Sequence, residues 1–201
     1  MIQTIVFDIG NVLIDFHPIP YVRRLLGDEA TADRVTPLVF RSDEWLMLDR
    51  GTISQDEAAA RIAGRNPELA QAIHTVFDNW MPLMTPIEPT VELLSRLKGA
   101  GYRLYYLSNF HVLAFAWLLE RRPFFRQFDG GVVSYEVHSL KPEPEIYQEL
   151  LRRYDLQAEH CLFLDDMHDN VVTARTLGMQ AVRVTNFEAL PAQLAAEGVV
   201  L

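Results

Sequence analysis

Acidic side chains end two of the apolar runs in this sequence. Asp8 ends the run TIVFD, and the pair Asp165 and Asp166 ends CLFLDD. Three carboxylates close together repel one another, and some become protonated unless a cation lies among them. An all-oxygen site with a few acids suits Mg²⁺, which keeps several waters and completes its shell with substrate phosphate. The three acids therefore predict a Mg²⁺ site, to which a backbone carbonyl in the loop after Asp8 could add a neutral ligand.

A hydroxyl, an amide and an ammonium group complete the set of candidate reactive residues. Ser108 and Asn109 end the run RLYYLSN, and Lys141 precedes a proline at which a helix is expected to begin. With a metal ion and Lys141 offsetting negative charge, a carboxylate can attack phosphorus and form an aspartyl-phosphate. The Ser108 hydroxyl and the Asn109 amide would hold the phosphoryl oxygens, and Lys141 would help to hold nucleophile and phosphate. Water would then hydrolyse the intermediate.

Each of these residues also has a purely structural interpretation. Asp8 and Asp165 could cap helices or turns after their strands, a Ser-Asn pair is common in turns, and Lys141 could be a solvated lysine. The adjacent acids Asp165 and Asp166 are harder to explain in this way, because two carboxylates at the end of a buried strand need compensating charge. The combination at three strand ends favours a reactive site.

The elements that must position these residues alternate between strands and helices. Helical patterns are marked by Val91, Leu93, Leu94 and Leu97, and by Ile146, Leu150, Leu151 and Tyr154. Five short apolar runs are predicted to be buried strands: TIVFDI, RLYYLSN, GGVVSY, CLFLDD and QAVRVT. This alternation predicts an α/β fold with a mainly parallel five-stranded sheet sandwiched by helices. Ligands bind beyond the carboxyl ends of strands in such a sheet, so the polar residues there are expected to converge.

The segment from about residue 16 to residue 84 differs from the rest of the chain. It has no convincing strand and carries several amphipathic helical stretches. One of these begins at the capping-box pattern Ser54-Gln-Asp-Glu57. We therefore expect a core domain of residues 1–15 and 85–201, with an all-helical cap domain of residues 16–84 inserted directly after the first strand.

The composition is that of a globular protein, with 49% hydrophobic and 22% charged residues among 201. With a net charge of −9, the chain lacks the electrostatic footprint of a nucleic-acid-binding protein. The longest apolar patches, such as VLAFAWLL, are too short to span a membrane. The single cysteine, Cys161, excludes an internal disulfide. The N-terminus shows no basic region followed by a cleavage site, so the cytoplasm is the expected location.

Four motifs in this order make the sequence resemble the haloacid dehalogenase-like hydrolases, a large superfamily of aspartate-nucleophile phosphatases. They are FDIGNVL, LSN, the lysine of LKPEPEIY, and FLDDMHDN followed by a helix that ends near Gly178. Together they span Phe7 to Gly178, which is nearly the whole chain. The resemblance implies a Rossmann-like core with a helical cap inserted after the first motif, in agreement with the organisation read from the elements.

The resemblance also implies an activity and a role for each residue of the site. The activity is Mg²⁺-dependent hydrolysis of a small phosphomonoester. The first motif, with LKPE and FLDD, is most similar to a bacterial subgroup that includes α-D-glucose-1-phosphate phosphatases, which carry glycine in a DxGNV pattern. A sugar phosphate such as glucose 1-phosphate is therefore a candidate substrate. The implied roles are Asp8 as nucleophile and metal ligand, the Gly10 carbonyl as metal ligand, Ser108 and Asn109 as phosphate-binding residues, Lys141 as the charge-balancing lysine, and Asp166 as a direct metal ligand with Asp165 close behind.

Gly10 departs from the pattern of most phosphatases in this superfamily. They carry a second Asp two residues after the nucleophile, which protonates the leaving group and later activates water. Glycine keeps the backbone carbonyl but removes that side chain, and general acid–base catalysis is typically worth ~10²–10⁴-fold. The chain is therefore slower, uses a substrate with a better leaving group, or takes an acid from elsewhere, with Asp15, His17 and Asp43 as candidates.

The missing acid at position 10 leaves two other functions open. A 2-haloacid dehalogenase attacks carbon with the equivalent aspartate and needs no acid at that position. Dehalogenases of the family, however, usually place serine and asparagine in the fourth motif, where Asp165 and Asp166 stand here. The other alternative is a weakly active phosphate-binding protein with a regulatory role, against which the retained nucleophile, lysine and acids argue.

Aromatic residues near the second motif and in the cap are candidates for the wall of a substrate pocket. Phe110 and His111 directly follow the Ser-Asn pair, and the cap offers Phe40, Arg41, Trp45 and Trp80. Aromatic side chains more often pack in cores, which is the alternative interpretation for these aromatic residues. The expected partner is a small phosphorylated metabolite, and the sequence does not indicate an oligomeric state.

Overall fold

The computed structural model describes all 201 residues and contains seven strands. In chain order they are β1 (Thr4–Phe7), β2 (Ile14–Asp15), β3 (Thr85–Pro86), β4 (Arg103–Ser108), β5 (Gly130–Val133), β6 (Cys161–Asp165) and β7 (Gln180–Arg183). Five of them form a parallel sheet in the order β5-β4-β1-β6-β7. The short strands β2 and β3 pair antiparallel where the chain leaves the sheet and returns to it.

Eleven α-helices accompany the strands, five between β2 and β3 and six after β3. The first five are α1 (Pro18–Leu26), α2 (Glu29–Phe40), α3 (Asp43–Asp49), α4 (Gln55–Arg65) and α5 (Ala70–Asn79). The others are α6 (Glu88–Gly99), α7 (Val112–Arg121), α8 (Ser134–Val137), α9 (Pro144–Arg153), α10 (His168–Thr176) and α11 (Leu190–Ala196). Short 3-10 helices lie at Pro67–Leu69, Met81–Leu83, Pro123–Gln127 and Ala158–His160. None of the helices has the length and apolarity that a membrane span requires.

This architecture confirms the predicted fold class, a parallel five-stranded sheet flanked by helices with a helical insertion after its first strand. The proposed limits of a core at 1–15 and 85–201 and a cap at 16–84 stay a prediction. We call residues 16–84 the cap.

β1 lies at the centre of the sheet, and all four of its residues are buried. Its sequence TIVF is largely β-branched and apolar, which is typical of a strand covered on both faces. In register, Phe7 pairs with Tyr106 on β4 and with Leu164 on β6. The carboxyl ends of these three strands therefore meet at one edge of the sheet.

Each strand of the sheet ends one or two residues before the run predicted for it. Asp8, Asn109 and Asp166 therefore lie just after their strands, whereas Ser108 and Asp165 are the last residues of β4 and β6. The largest change is in GGVVSY, whose last two residues begin α8. There the Ser134 hydroxyl accepts a hydrogen bond from the Phe110 N–H and donates one to the Asp49 carbonyl. Ser134 thus connects the sheet edge to the cap.

The cap and the sheet share one apolar cluster of 41 buried residues. Phe7 of β1 belongs to it together with Val35 of α2 and Ile73 of α5. A second cluster covers the other face of the sheet, where Tyr147 of α9 packs with Val6 of β1. Because burial of apolar surface is the main favourable term in folding, the shared cluster holds the cap over the reactive edge of the sheet.

Two local predictions about helix ends are confirmed. α4 begins after Ser54, whose side chain accepts a hydrogen bond from the Glu57 N–H at 3.1 Å, as expected for an N-cap. α10 ends at Thr176, and Gly178 follows with φ of +89°. This left-handed conformation favours glycine just beyond a helix.

Gly51 follows α3 with φ of +71°, and it lies directly against Tyr135 of α8. A Cβ atom there would lie 2.8 Å from the Tyr135 carbonyl oxygen and 3.1 Å from the Tyr135 Cα. Gly27 follows α1 with a similar φ of +69°, but a Cβ there would meet nothing within 4 Å. The two glycines therefore share a backbone conformation and differ in their surroundings.

We expect Gly51→Ala to destabilise the protein more than Gly27→Ala. Both variants lose ~1 kcal/mol or more from the left-handed backbone, and only Gly51→Ala must also push the cap away from Tyr135. Thermal unfolding should place the midpoint of Gly51→Ala at least about 3 °C below that of Gly27→Ala. Equal midpoints for the two variants would contradict this close contact.

Candidate active site

Three carboxylates lie together at the carboxyl edge of the sheet. Asp8 follows β1, Asp165 ends β6, and Asp166 comes next. Each offers one carboxylate oxygen, and these oxygens all lie within 4.8 Å of one another. Asp8 and Asp165 are buried, and Asp166 is half-buried. The structure therefore brings together the three acids that the sequence singles out.

Lys141 lies between two of these acids. Its Nζ is 2.8 Å from Asp8 Oδ1 and 2.6 Å from Asp165 Oδ2, and all three side chains are almost fully buried. Burial alone would lower the pKa of Lys141, but the two carboxylates more than reverse this and raise it. The lysine is therefore charged, and it is the counter-charge of the acid cluster.

The Asp8 carboxylate is held by one of its oxygens. Oδ1 accepts hydrogen bonds from the Ile9 N–H and from the Ser108 hydroxyl, both at 2.7 Å, and it also faces Lys141. Every protein contact of this carboxylate is thus made through Oδ1, which leaves Oδ2 free. Burial raises the pKa of Asp8 to about 7, with Lys141 opposing the rise and Asp165 adding to it.

The donor set fits a divalent cation. Burial and the neighbouring Asp165 also raise the pKa of Asp166, so a positive ion among these carboxylates would relieve repulsion that Lys141 alone does not remove. Asp8 and Asp166 line the same cavity as Gly10. An all-oxygen set of this kind suits Mg²⁺.

Asp165 has a different environment from its neighbour. Its Oδ1 accepts hydrogen bonds from the Met167 N–H at 2.8 Å and the Asn170 amide at 3.0 Å. Its Oδ2 binds Lys141 and the same Asn170 amide. Both oxygens are therefore already bonded within the protein, which suits a residue that positions Lys141 better than one that binds metal directly.

Asn11, which the sequence analysis misses, orders the loop after Asp8. It adopts φ of +52°, and its N–H bonds to the Ile14 carbonyl at 2.7 Å. Its side chain accepts a bond from the Phe16 N–H and donates one to Asp166. Asn11 and Asn170 thus hold the loops that carry the acids. The asparagine inside FDIGNV could have indicated this turn, since Asn tolerates the left-handed region in turns.

Ser108 and Asn109 both line the cavity in front of Asp8. The Ser108 hydroxyl donates to Asp8, whereas the Asn109 side chain binds the backbone of Lys141. The Asn109 amide donates to the Lys141 carbonyl at 3.0 Å and accepts from the Lys141 N–H at 2.7 Å. Asn109 therefore fixes the loop that carries the lysine, and its predicted contact with phosphate stays a prediction.

The cavity has a volume of about 220 Å³. Of the candidate wall residues, Trp45, Trp80, Phe110 and His111 line it, together with Phe16. Phe40 and Arg41 instead line a neighbouring cavity that shares Phe16 with this one, so their predicted place in this wall is wrong. Phe40 packs edge-on against Phe16 as part of an aromatic cluster, and helical spacing alone could not distinguish these two positions.

The family model for haloacid dehalogenase-like hydrolases matches residues 2–178. The chain belongs to this family. A sesquiterpene phosphatase of Aspergillus oryzae is 28% identical to it over 90% of this chain and 89% of the relative. A D-ribitol-5-phosphate phosphatase of Bacteroides thetaiotaomicron is 24% identical over 92% of this chain and 93% of the relative. Relatives named as phosphatases support a hydrolase that acts on phosphate esters.

The fold of this haloacid dehalogenase-like hydrolase is also that of solved structures. One is a family enzyme from Bacteroides thetaiotaomicron that was crystallised with magnesium and inorganic phosphate. The two share a TM-score of 0.70 and 22% sequence identity, over 91% of this chain and 94% of the other. The family and the α/β fold are thus confirmed, whereas the glucose-1-phosphate phosphatase-like subgroup stays a prediction.

None of the three acids suggested as substitutes for the missing Asp at position 10 lines the cavity. Asp15 and His17 are paired with each other away from it, and both side chains are well exposed. Asp43 lines a separate cavity on the outer side of the cap, next to Arg65. The structure does not bring these residues to the phosphate side of Asp8.

Asp49, which the sequence analysis also misses, does line the cavity. It is the last residue of α3 and is 8% exposed. Burial raises the pKa of Asp49 to about 8, and no hydrogen bond or nearby charge opposes this. Its spacing in the sequence could have indicated this position, because Asp49 lies one helical turn from Trp45 and so shares the inward face of α3. This hydrolase therefore has a third acid in its cavity beside Asp8 and Asp166, and the cap delivers it.

The residue after Asp49 ties the cap to the loop that carries Lys141. The Arg50 guanidinium binds both oxygens of Glu143, at 2.5 and 3.0 Å, and donates to the His138 carbonyl. In return, the His138 ring bonds to the Arg50 carbonyl at 2.8 Å. The Arg50 guanidinium lowers the pKa of Glu143 to about 2. We call the Arg50–Glu143 pair with its His138 bonds the cap latch.

We expect Asp49→Asn to become more stable than the wild type as the pH rises. In the unfolded chain the Asp49 carboxyl ionises above about 3.8, whereas in the folded protein it stays protonated up to about 8. Its contribution to stability is therefore present below pH 4 and is lost between pH 4 and 8, at about 1.4 kcal/mol per pH unit. Asparagine does not ionise, so the gap in unfolding midpoint between variant and wild type should widen across this window.

Glu44→Gln is the matched control on the same helix. Its hydrogen bond with Arg65 lowers the pKa of Glu44, so its contribution changes only at acidic pH. The gap between Glu44→Gln and the wild type should therefore stay constant between pH 5 and 8. A constant gap for Asp49→Asn as well would show that Asp49 is ionised in the folded protein at neutral pH.

Proposed function

We propose that the chain is a Mg²⁺-dependent phosphomonoester hydrolase that forms an aspartyl-phosphate at Asp8. The observation that carries this proposal is the shared site of Asp8, Asp165 and Asp166, whose carboxylate oxygens lie within 4.8 Å of one another beside a buried lysine. Such a set can bind a divalent cation and still leave one oxygen of Asp8 available to phosphorus.

The ligands of the ion would be the carboxylates of Asp8 and Asp166 and the backbone carbonyl of Gly10. Asp165 is proposed to support the site by holding Lys141. When bound, Mg²⁺ supplies positive charge that offsets the charge on the phosphate and on the nucleophile. The magnesium and phosphate in the crystallised relative from Bacteroides thetaiotaomicron support this choice of metal and of ligand.

The residues of the chain would act in two steps. In the first, Asp8 attacks phosphorus and the bond from phosphorus to the alcohol oxygen breaks, so that the alcohol leaves. Lys141 and the Ser108 hydroxyl keep the carboxylate oriented and offset charge on the phosphoryl oxygens. In the second, water hydrolyses the aspartyl-phosphate and regenerates the Asp8 carboxylate. The ordered Lys141 loop, clamped by Asn109, keeps the ammonium group in place through both steps.

Two classes of phosphomonoester are candidates for the substrate. The resemblance of the first motif favours a sugar phosphate such as glucose 1-phosphate. The wall of the cavity is an independent observation and favours the phosphate of an apolar alcohol, because Phe16, Trp45 and Trp80 line it and Lys141 is its only cationic side chain. The sesquiterpene phosphatase among the relatives is in keeping with the second candidate.

We expect Mg²⁺-dependent hydrolysis of p-nitrophenyl phosphate, a substrate whose leaving group needs little protonation. A chelator should abolish this activity and added Mg²⁺ should restore it. Asp8→Asn should lower kcat/KM by about 10³-fold or more, because the nucleophile is lost. The control is Asp78→Asn, an exposed acid of α5 outside the cavity, which should keep wild-type activity.

Other results would identify one of the alternative functions. Chloride release from 2-chloropropionate without metal would instead identify a 2-haloacid dehalogenase. Phosphate binding without hydrolysis of any phosphomonoester would identify a regulatory phosphate-binding protein. Hydrolysis that survives in Asp8→Asn would exclude an aspartyl-phosphate at this residue.

A comparison of substrates should separate the two candidate classes. Each CH₂ group buried against the aromatic wall is worth about 0.8 kcal/mol, or roughly a factor of four. We therefore expect kcat/KM for a sesquiterpenyl monophosphate to exceed that for glucose 1-phosphate by at least about tenfold, measured as phosphate release. Faster hydrolysis of glucose 1-phosphate would favour the sugar phosphate instead.

A further inference from the structure

Position 10 leaves an empty place beside the nucleophile. A Cβ atom built on Gly10 would meet nothing within 4 Å, and the backbone there has no left-handed φ. The structure therefore has room for the acid that most phosphatases of this family carry at that position, but the chain does not supply it. An alcohol that leaves as its unprotonated anion is a poor leaving group, so another proton donor is needed for such substrates.

Five titratable side chains line the cavity: Asp8, Asp49, His111, Lys141 and Asp166. Asp8 is the proposed nucleophile and Asp166 a proposed metal ligand. Lys141 is held between two carboxylates and faces the nucleophile. His111 and Asp49 are left, the first from the loop that follows β4 and the second from the cap.

His111 is a poor donor in this place. Its ring packs against Trp45 and Trp80, at 5.3 and 5.2 Å between ring centres. Its Nε2 is buried without a hydrogen-bond partner. Burial lowers the pKa of His111 to about 4, so the ring is neutral at physiological pH and has no readily transferred proton.

Asp49 is fixed in position relative to the phosphate side of the cavity. Its carbonyl accepts a bond from the Ser134 hydroxyl, which in turn accepts a bond from the Phe110 N–H. Phe110 follows the Ser108-Asn109 pair directly. The cap latch at Arg50 holds the next residue to the loop of Lys141. The Asp49 backbone is thus tied to both loops that flank Asp8.

We propose that Asp49 of the cap is the proton donor that replaces the missing acid at position 10. This inference rests on the proposed phosphatase activity and adds to it the group that makes hydrolysis of unactivated alcohol phosphates possible. The carboxyl of Asp49 faces the cavity, has no bond within the protein that would hold its proton, and belongs to the element that covers the substrate.

Over the two steps, Asp49 gives up one proton and takes one back. As Asp8 forms its bond to phosphorus, the bond from phosphorus to the alcohol oxygen breaks and its electron pair moves to that oxygen. The oxygen takes the proton of Asp49, and the alcohol leaves. The Asp49 carboxylate then accepts a proton from the water that attacks the aspartyl-phosphate, which releases inorganic phosphate and returns both acids to their starting states.

The state of Asp49 in the resting protein agrees with this role. Burial raises its pKa to about 8, so the carboxyl carries its proton at neutral pH. A donor is most effective when its pKa lies near the working pH.

The test uses the full chain loaded with Mg²⁺ and two substrates, p-nitrophenyl phosphate and a simple alkyl phosphate. Asp49→Asn should lose about 10²–10⁴-fold in kcat/KM on the alkyl phosphate and less than about tenfold on p-nitrophenyl phosphate. The matched control is Asp43→Asn on the same helix, which should match the wild type on both substrates because Asp43 lines a different cavity.

Gly10→Asp provides the rescue. Introduced into Asp49→Asn, it should raise kcat/KM on the alkyl phosphate at least tenfold, because a Cβ atom at position 10 would meet nothing within 4 Å. A merely structural role for Asp49 would not be repaired by an acid on another loop. Asp49→Glu, which keeps the acid, should fall between the wild type and Asp49→Asn.

Two failures are distinguishable. Equal losses of Asp49→Asn on both substrates, or no loss on the alkyl phosphate, would overturn the role of Asp49 and leave the phosphatase itself standing. If the wild type does not hydrolyse p-nitrophenyl phosphate, or if Asp8→Asn hydrolyses it as well as the wild type, the proposed function fails, and the role of Asp49 fails with it.

Discussion

A single buried ammonium group holds the reactive edge of this sheet together. Lys141 lies between Asp8 and Asp165, two carboxylates that neighbouring strands deliver to the same buried site. Without the lysine, these charges would repel at close range in a poorly screened environment. Removal of one member of a buried ion pair typically costs ~3–5 kcal/mol. Asn109 and Asn170 tighten the arrangement, since one holds the backbone of the lysine and the other its acidic partner.

The two sides of the cavity have opposite characters. The sheet edge presents charge and hydrogen-bonding groups at the ends of β1, β4 and β6, where a phosphate would meet Lys141 and the acids. The cap presents Trp45 and Trp80, with His111 packed between them. The single ionisable side chain that the cap adds is that of Asp49. The phosphate end and the alcohol end of a substrate therefore meet different parts of the chain, so chemistry can stay constant while the alcohol varies.

The sequence predicts the sheet edge well and the cap poorly, for a physical reason. Strands covered on both faces are apolar throughout, so a polar residue at the end of such a run stands out. Asp8, Ser108 and Asp165 are of this kind. Helices of the cap mix polar and apolar residues, and an acid among them looks like part of a solvated face. The backbone of Asp49 is held by Ser134, which is far away in sequence, and no local pattern reveals this contact.

The cap latch joins two residues that lie next to functional ones, since Arg50 follows Asp49 and Glu143 lies two positions after Lys141. An alcohol too bulky for the cap to settle over it would break this pair and withdraw the Asp49 carboxyl from the scissile bond. Such a compound could still dock its phosphate beside Asp8, yet its turnover would be slow. The enzyme would then select among alcohols more by how fast the bound substrate reacts than by how tightly it binds, as in enzymes that use induced fit.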